Sequence, residues 1–396
     1  MKFLFILHCY PAVEGGAGLF SEIINGLEKE NNCIEVLASN RVSTDDLINP
    51  NPKKVNKDIQ KTNRVSIKYL DVFSRCRLFF RLGEKLFGLS FWTCLKKGPV
   101  FKNLPEIFKK RNTDWVITGL FPLANTFWGY LIAKRNRSKL AIIPAFHEND
   151  FEHRNPFLIN LLKKANLIVC LTSHEKKVLL DMKVSCNKMI VGGGVVNNKL
   201  FSYKQNRAGK FPKIPNILYL GTKSAHKQII VLIEAMKIIW DSDKKIRLTI
   251  AGPETLYSQK IKDKINSLDL KYKTRIRYLG KVSQSMKIDL IDSATMLVNP
   301  SSQESFGLVF AESWARKKPV IGANIPTIRE VINKNKNGLL FTPGSATNLA
   351  DKINDIISRP LLAKKMGENG YNKILKNYTS SHVIKKINRS FKDKCY

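Results

Sequence analysis

Short apolar runs alternate along this chain with segments whose apolar residues recur every three or four positions. Phe3–Leu7 is a five-residue run, and Leu19, Ile23, Ile24 and Leu27 follow it at helical spacing. Ile34–Ala38, Trp115–Thr118, Ala141–Pro144 and Leu167–Leu171 are further short runs, each with a helix-like pattern nearby. This repeated strand–helix rhythm predicts a parallel sheet with helices on both faces.

The stretch Ser202–Pro215 is polar and basic, with one Gly and two Pro, and reads as a linker. The rhythm then restarts. Strands are predicted at Ile217–Tyr219, Arg247–Ala251, Ile276–Tyr278, Met296–Val298 and Pro319–Ile321. Helices are predicted at Ile229–Trp240, Ser258–Leu268, Met286–Ser293 and Val309–Ala315. The reading is an α/β protein of two lobes, residues 1–204 and 205–375. Residues 376–396 are expected to form a helix that packs back on the first lobe. Ligands of such lobes bind outside the carboxyl ends of the strands.

Composition narrows the class. The chain has 396 residues, 43% of them hydrophobic, which suffices for real cores. No apolar run approaches the ~18 residues of a membrane-spanning helix. Phe3–Leu7 is shorter than the ~7–15 apolar residues of a signal peptide. A cytoplasmic protein is therefore expected. The seven cysteines (9, 33, 76, 94, 170, 186, 395) are odd in number and irregularly spaced, without a C-x-x-C pair. Reduced thiols are expected, not disulfides or a zinc site.

The formal charge is +35, and it is uneven. Residues 1–50 hold 3 basic and 7 acidic residues, whereas residues 51–111 hold 16 basic and 4 acidic. In the second stretch cations interleave with large apolar groups: Arg75, Arg77, Phe80, Arg81, Trp92, Lys96 and Lys97. Rings that enter a headgroup boundary beside cations that meet anionic lipid are what an interfacial segment needs. An amphipathic helix with a solvated basic face, or a nucleic-acid surface, would show the same pattern.

The most informative segment is Asn299–Glu312. Glu304 is expected in a loop after a strand and Glu312 within the following helix, with Phe306-Gly307-Leu308 at the helix start. Unpaired amides there suit a phosphate, and Gly307 lets a ligand approach the backbone. The carboxylates could accept from sugar and ribose hydroxyls. A capping glutamate and a solvated one would also fit the spacing.

This segment resembles the Glu-x7-Glu motif of retaining glycosyltransferases of family 4, which have the GT-B fold. Its surroundings are similar as well: Asn299-Pro300-Ser301, Ala315 through Pro319-Val320 with lysines in place of the glycine, Asn337-Gly338-Leu339-Leu340, and Gly280-Lys281-Val282. The resemblance covers most of residues 165–360. It implies two Rossmann-like lobes facing each other across a donor-binding cleft, Glu304 on the donor sugar, and Glu312 on the ribose. Ser305, Phe306, Gly307 and Leu308 would lie at the donor, and Gly280, Lys281 and Val282 near the base.

Gly221 to Lys227 resembles the family's G-R-x-x-x-x-K. Lys227 falls on the lysine that contacts the donor diphosphate, where a fixed ammonium would stabilise leaving-group charge. Thr222 stands at the arginine position, and Lys223 is the candidate substitute one residue on. Gly15 and Gly16 resemble the N-lobe GG loop, at donor phosphates and acceptor. They fail as a dinucleotide fingerprint, because Ser21 holds the third glycine position and no acid ends the second strand. His147 resembles the histidine near the donor sugar ring, and Glu148 and Asp150 are acceptor-side candidates. Asp241-Ser242-Asp243 copies a metal-binding D-x-D but sits in a polar turn, and the six histidines lack metal spacing.

The resemblance therefore implies a retaining, metal-independent hexosyltransferase without a cofactor, with His147, Lys227 and Glu304 as catalytic residues. Its donor would be a UDP- or GDP-type nucleotide-sugar and its acceptor a glycan or lipid-linked molecule. Cell-surface polysaccharide or lipopolysaccharide synthesis, on the inner face of the plasma membrane, is the expected setting. The alternative is a non-catalytic protein of the same fold that binds nucleic acid or anionic membrane through its basic surface.

Overall fold

The computed structural model describes residues 1–11, 15–42, 45–47, 51–55, 64–73, 77–88, 91–202 and 209–394. The chain divides into two units, Met1–Gly193 with Val383–Tyr396, and Gly194–His382.

The first unit holds seven strands: β1 (Lys2–Leu7), β2 (Cys33–Ser39), β3 (Val65–Leu70), β4 (Trp115–Gly119), β5 (Lys139–Ile143), β6 (Leu167–Cys170) and β7 (Met189–Val191). They form one sheet in the order β3-β2-β1-β4-β5-β6-β7. The second unit holds β8 (Asn216–Leu220), β9 (Arg247–Ala251), β10 (Ile276–Leu279), β11 (Met296–Asn299), β12 (Val320–Ala323) and β13 (Gly338–Phe341), in the order β10-β9-β8-β11-β12-β13. Every ladder between these strands is parallel. Parallel strands need crossover helices, which cover both faces of each sheet, so central strands such as β4 and β11 are buried throughout.

Three helices of the first unit matter below: α1 (Gly15–Lys29), α2 (Arg77–Phe87) and α3 (Phe91–Lys97). Gly15 and Gly16 open α1 and are part of the helix, not a loop between strand and helix.

The unit boundary falls at Gly193/Gly194, about ten residues before the expected one. Val196 donates its amide to the carbonyl of Tyr378, and Arg316 Nη1 donates to that of Leu200 at 3.0 Å, so residues 194–202 are tied to the second unit. Arg316 is fully buried and bidentate on Asp292, at 2.8 and 2.7 Å, which fixes its guanidinium for that task. Residues 203–208 of the expected linker lie outside the described residues.

The helix Ser380–Asp393 joins the first unit from Val383 onward. Phe391 packs at 5.0 Å from the Phe3 ring and 4.9 Å from that of Trp115. A Cβ on Gly26 of α1 would fall 2.3 Å from Ile384, so this glycine makes room for the returning helix.

Candidate active site

The order of the second sheet reverses between β8 and β11. Connections from strands on either side of such a point leave toward opposite faces, which opens a crevice at the strands' carboxyl ends. The loop after β8 carries Lys227 and the loop after β11 carries Glu304. The structure brings the two together, with Lys227 Nζ 2.5 Å from Glu304 Oε1. Asn299 Nδ2 donates to the same oxygen at 2.9 Å. Both side chains are largely buried, which strengthens this charge-assisted bond.

Local structure sets this geometry. A 3-10 turn, Ala225–Lys227, presents the lysine and ends at Gln228, whose left-handed φ of 49° starts the helix Ile229–Asp241. Ser302 donates its amide to the carbonyl of His226 at 2.9 Å, which joins the two loops directly.

Gly307 precedes the helix Leu308–Ala315 with φ 80°. A side chain would be strained there, and its Cβ would meet the Phe310 ring at 2.7 Å. The amides of Leu308 and Val309 stand at the first helical positions, which have no intrahelical acceptor. Phe306 turns inward. Its ring is buried, 5.1 Å from that of Tyr378, so only its main chain is available to a ligand. Ser305 is half-buried in the same turn.

Glu312, one helical turn further, accepts from Lys287 Nζ at 2.7 Å through Oε1. Lys287 comes from the neighbouring helix Gln284–Ser293, just after the Gly280-Lys281-Val282 turn. A Cβ on Gly280 would meet nothing within 4 Å, so the space beside this turn is open.

Lys223 is not a donor-binding cation in this structure. Its side chain is fully buried, and its ammonium donates to Gly252 O at 2.6 Å, Leu279 O at 2.6 Å and Glu254 Oε1 at 2.8 Å. Those three bonds use all three of its donors. It also lies over the Tyr278 ring, 4.4 Å from the centroid. Burial pulls its pKa down and Glu254 holds it up. Three residues past β8, the turn carries the side chain under the ends of β9 and β10. Thr222 keeps its place at the strand end, its carbonyl accepting from Tyr219 OH at 2.8 Å.

In the first unit, His147 follows β5. Its amide donates to His153 Nδ1 at 3.1 Å, with the two rings 5.0 Å apart. Glu148 lies 2.9 Å from His174 Nε2, and Asp150 Oδ1 caps the Glu152 amide at 2.9 Å. Both acceptor-side carboxylates thus already have partners within this unit.

The basic, aromatic segment folds differently from the expected interfacial set. Phe80 is buried. Trp92 packs against Gly83, Phe79 and Phe87. Lys96 pairs with Glu84 and Glu152, and Lys97 with Glu152 at 2.7 Å. Phe80, Trp92 and Lys96 hold α2 on α3, and Lys96 and Lys97 tie α3 to Glu152, leaving Arg81 exposed. Arg77 opens α2, and Arg75 lies outside the described residues. No helix among the described residues is long and apolar enough to cross a membrane.

Two site residues escape sequence reading. Asn299 lay inside the matched segment, but its aim at Glu304 depends on the turn after β11. Lys287 carried no signal in a chain with 67 Lys and Arg. The Asp241 of the D-x-D is held by Lys237 at 2.8 Å and by Tyr272 OH at 2.5 Å.

Residues 202–373 match the family glycosyl transferases group 1. An uncharacterised glycosyltransferase of Methanocaldococcus jannaschii is 28% identical over 203 residues, 51% of this chain and 53% of that protein. The chain thus spans about half the length of that relative. N-acetyl-alpha-D-glucosaminyl L-malate synthase of Bacillus anthracis is 21% identical over 407 residues, 99% of this chain and 97% of that one. Among solved structures, Anabaena HepE in complex with UDP and glucose superposes with a TM-score of 0.71 at 16% identity, over 99% of both chains. With two parallel, Rossmann-like units and this superposition, the chain has the GT-B fold, and its residues 202–373 are similar to the glycosyl transferases group 1 family.

Proposed function

We propose that this protein is a retaining, metal-independent glycosyltransferase that moves a sugar from a UDP- or GDP-type nucleotide-sugar to a glycan or lipid-linked acceptor. The setting is cell-surface polysaccharide or lipopolysaccharide synthesis on the cytoplasmic side of the plasma membrane. The observation that carries the reading is the Lys227–Glu304 pair at the reversal point of the second sheet, beside the helix that Gly307 begins.

In the reaction the bond from the sugar's anomeric carbon to the β-phosphate oxygen breaks. A bond from the acceptor oxygen forms on the same face, and the acceptor's proton leaves with the phosphate. Lys227 and the amides near Leu308 stabilise the charge that develops on the leaving group. Supplied by the chain itself, that stabilisation requires no metal and no cofactor. Glu304 accepts from donor sugar hydroxyls. Glu312, its Oε1 held by Lys287, offers Oε2 to the ribose. The open space at Gly280, Lys281 and Val282 takes the base, and His147 orients a hydroxyl of the transferred sugar. The UDP in the HepE structure supports the donor class.

Thermal shifts with UDP-, GDP-, ADP- and CMP-sugars test this, for the wild type and Glu312→Ala. A ligand at 100 times its Kd stabilises by about 2.7 kcal/mol. One nucleotide series should stabilise the wild type and lose its effect in the variant. If no series does so, the transferase reading fails.

A further inference from the structure

Helix α2 carries two apolar faces, and only one is covered. Phe80 and Gly83 face α3, where a Cβ on Gly83 would fall 2.5 Å from the Trp92 ring. The helix's acid, Glu84, turns the same way, to Lys96 and to Thr93 Oγ1 at 2.9 Å. Beside that face Leu82 is 54% exposed and Leu86 75%, and Phe79, at the border with its ring 5.7 Å from that of Trp92, is still 64% exposed. Their spacing of three and four residues puts them in one stripe. Phe87, 68% exposed, ends the helix. Arg81 and Lys85, four residues apart and both exposed, flank the stripe.

We infer that this stripe docks the protein on an anionic lipid bilayer. Phe79, Leu82 and Leu86 enter the headgroup boundary while Arg81 and Lys85 meet lipid phosphates. Buried apolar area and cation–headgroup attraction act together in such a helix. Charge identifies the occupant. The stretch of sequence that contains the helix, residues 51–111, holds 16 basic and 4 acidic side chains, and Arg81 and Lys85 are exposed on the helix itself. A second copy of a +35 chain would set Arg81 and Lys85 against their own images. A nucleic acid would use the cations but leave three large apolar side chains in water. Of the residues the sequence pattern singled out, Arg81 belongs to this surface, whereas Phe80, Trp92 and Lys96 lie beneath it and Lys97 pairs with Glu152. The inference is independent of sugar transfer, since it is measured without donor or acceptor.

The test is co-sedimentation of the full chain with phosphatidylcholine vesicles, with or without phosphatidylglycerol. The wild type, Leu82→Asn/Leu86→Asn, and Arg81→Gln/Lys85→Gln are compared, with light scattering for oligomeric state. Binding to the anionic vesicles should fall by about tenfold or more in the leucine variant. In the charge variant binding should lose most of its salt dependence. All three proteins should melt alike, because the replaced side chains are exposed. Failure of the wild type to bind, or undiminished binding by the leucine variant, overturns the inference. A dimer that the leucine variant dissociates would assign the stripe to a second copy and overturn it as well.

Discussion

Lys227 and Glu304, 77 positions apart in sequence, share a hydrogen bond of 2.5 Å between Nζ and Oε1. The cation assigned to the leaving phosphate is thereby aimed by the carboxylate assigned to the sugar. The pair is organised before any ligand arrives, and preorganisation of this kind avoids reorganisation cost during reaction.

Removing that cation should cost rate more than stability. Lys227→Ala is expected to lower kcat by about 10²–10³-fold, with Tm within a few degrees of wild type. Glu304→Gln keeps the side chain's shape but loses its charge, so Lys227 is less firmly aimed. Steady-state kinetics of donor hydrolysis, beside calorimetry, separates these effects.

Lys223 should behave in the opposite way. Lys223→Met strands two carbonyls and a carboxylate beneath the strand ends, a loss on the order of 3 kcal/mol. Nucleotide affinity, measured below the lowered Tm, should stay within about threefold of wild type, because all three ammonium donors are spent inside the protein. A large drop in affinity at unchanged Tm would restore Lys223 to the donor site.

Burial controls the acid response of the first unit. His8 is buried, with neither ring nitrogen bonded to a described residue, and its pKa is pushed down to about 4. His153 is pushed down to about 3 by burial and then by His147, and its Nδ1 must stay unprotonated to accept the His147 amide. An unfolded histidine binds its proton near pH 6.5, so the unfolded state holds more protons between there and pH 4. The stability from neutral burial is therefore complete above pH 6.5 and falls as pH drops through that window. Melting curves from pH 7.5 to 4.5 should show this slope. His8→Leu should flatten it without lowering Tm at pH 7.5.

Two glycines of the helix Pro360–Asn377 have no room for a methyl group. A Cβ on Gly367 would fall 2.0 Å from the carbonyl oxygen of Lys317, and one on Gly370 would fall 2.0 Å from the Trp314 ring. Alanine would gain about 1 kcal/mol of helix propensity at either position. Overpacking of about 1–3 kcal/mol should outweigh it. Gly370→Ala is therefore expected to lower the urea midpoint at unchanged m-value. An increase would mean that the helix shifts freely.

Periodicity alone determined the two α/β halves, and most strands and helices, because apolar spacing follows from which face each element buries. The Glu304-to-Glu312 spacing was equally legible, since it belongs to one contiguous strand–loop–helix. β3 was missed, because its edge position leaves Lys68 and Tyr69 only partly buried in a stretch dominated by charge. Only the tertiary structure decided which lysine meets Glu304. Lys223 and Lys227 look alike in sequence, but the turn after β8 buries one against the carbonyls of Gly252 and Leu279 while the 3-10 turn brings the other to Glu304. It also decided which aromatics of residues 51–111 are foundation and which are surface. Helix phase follows from the partner helix, and a regular alternation of rings and cations does not say which side that partner takes.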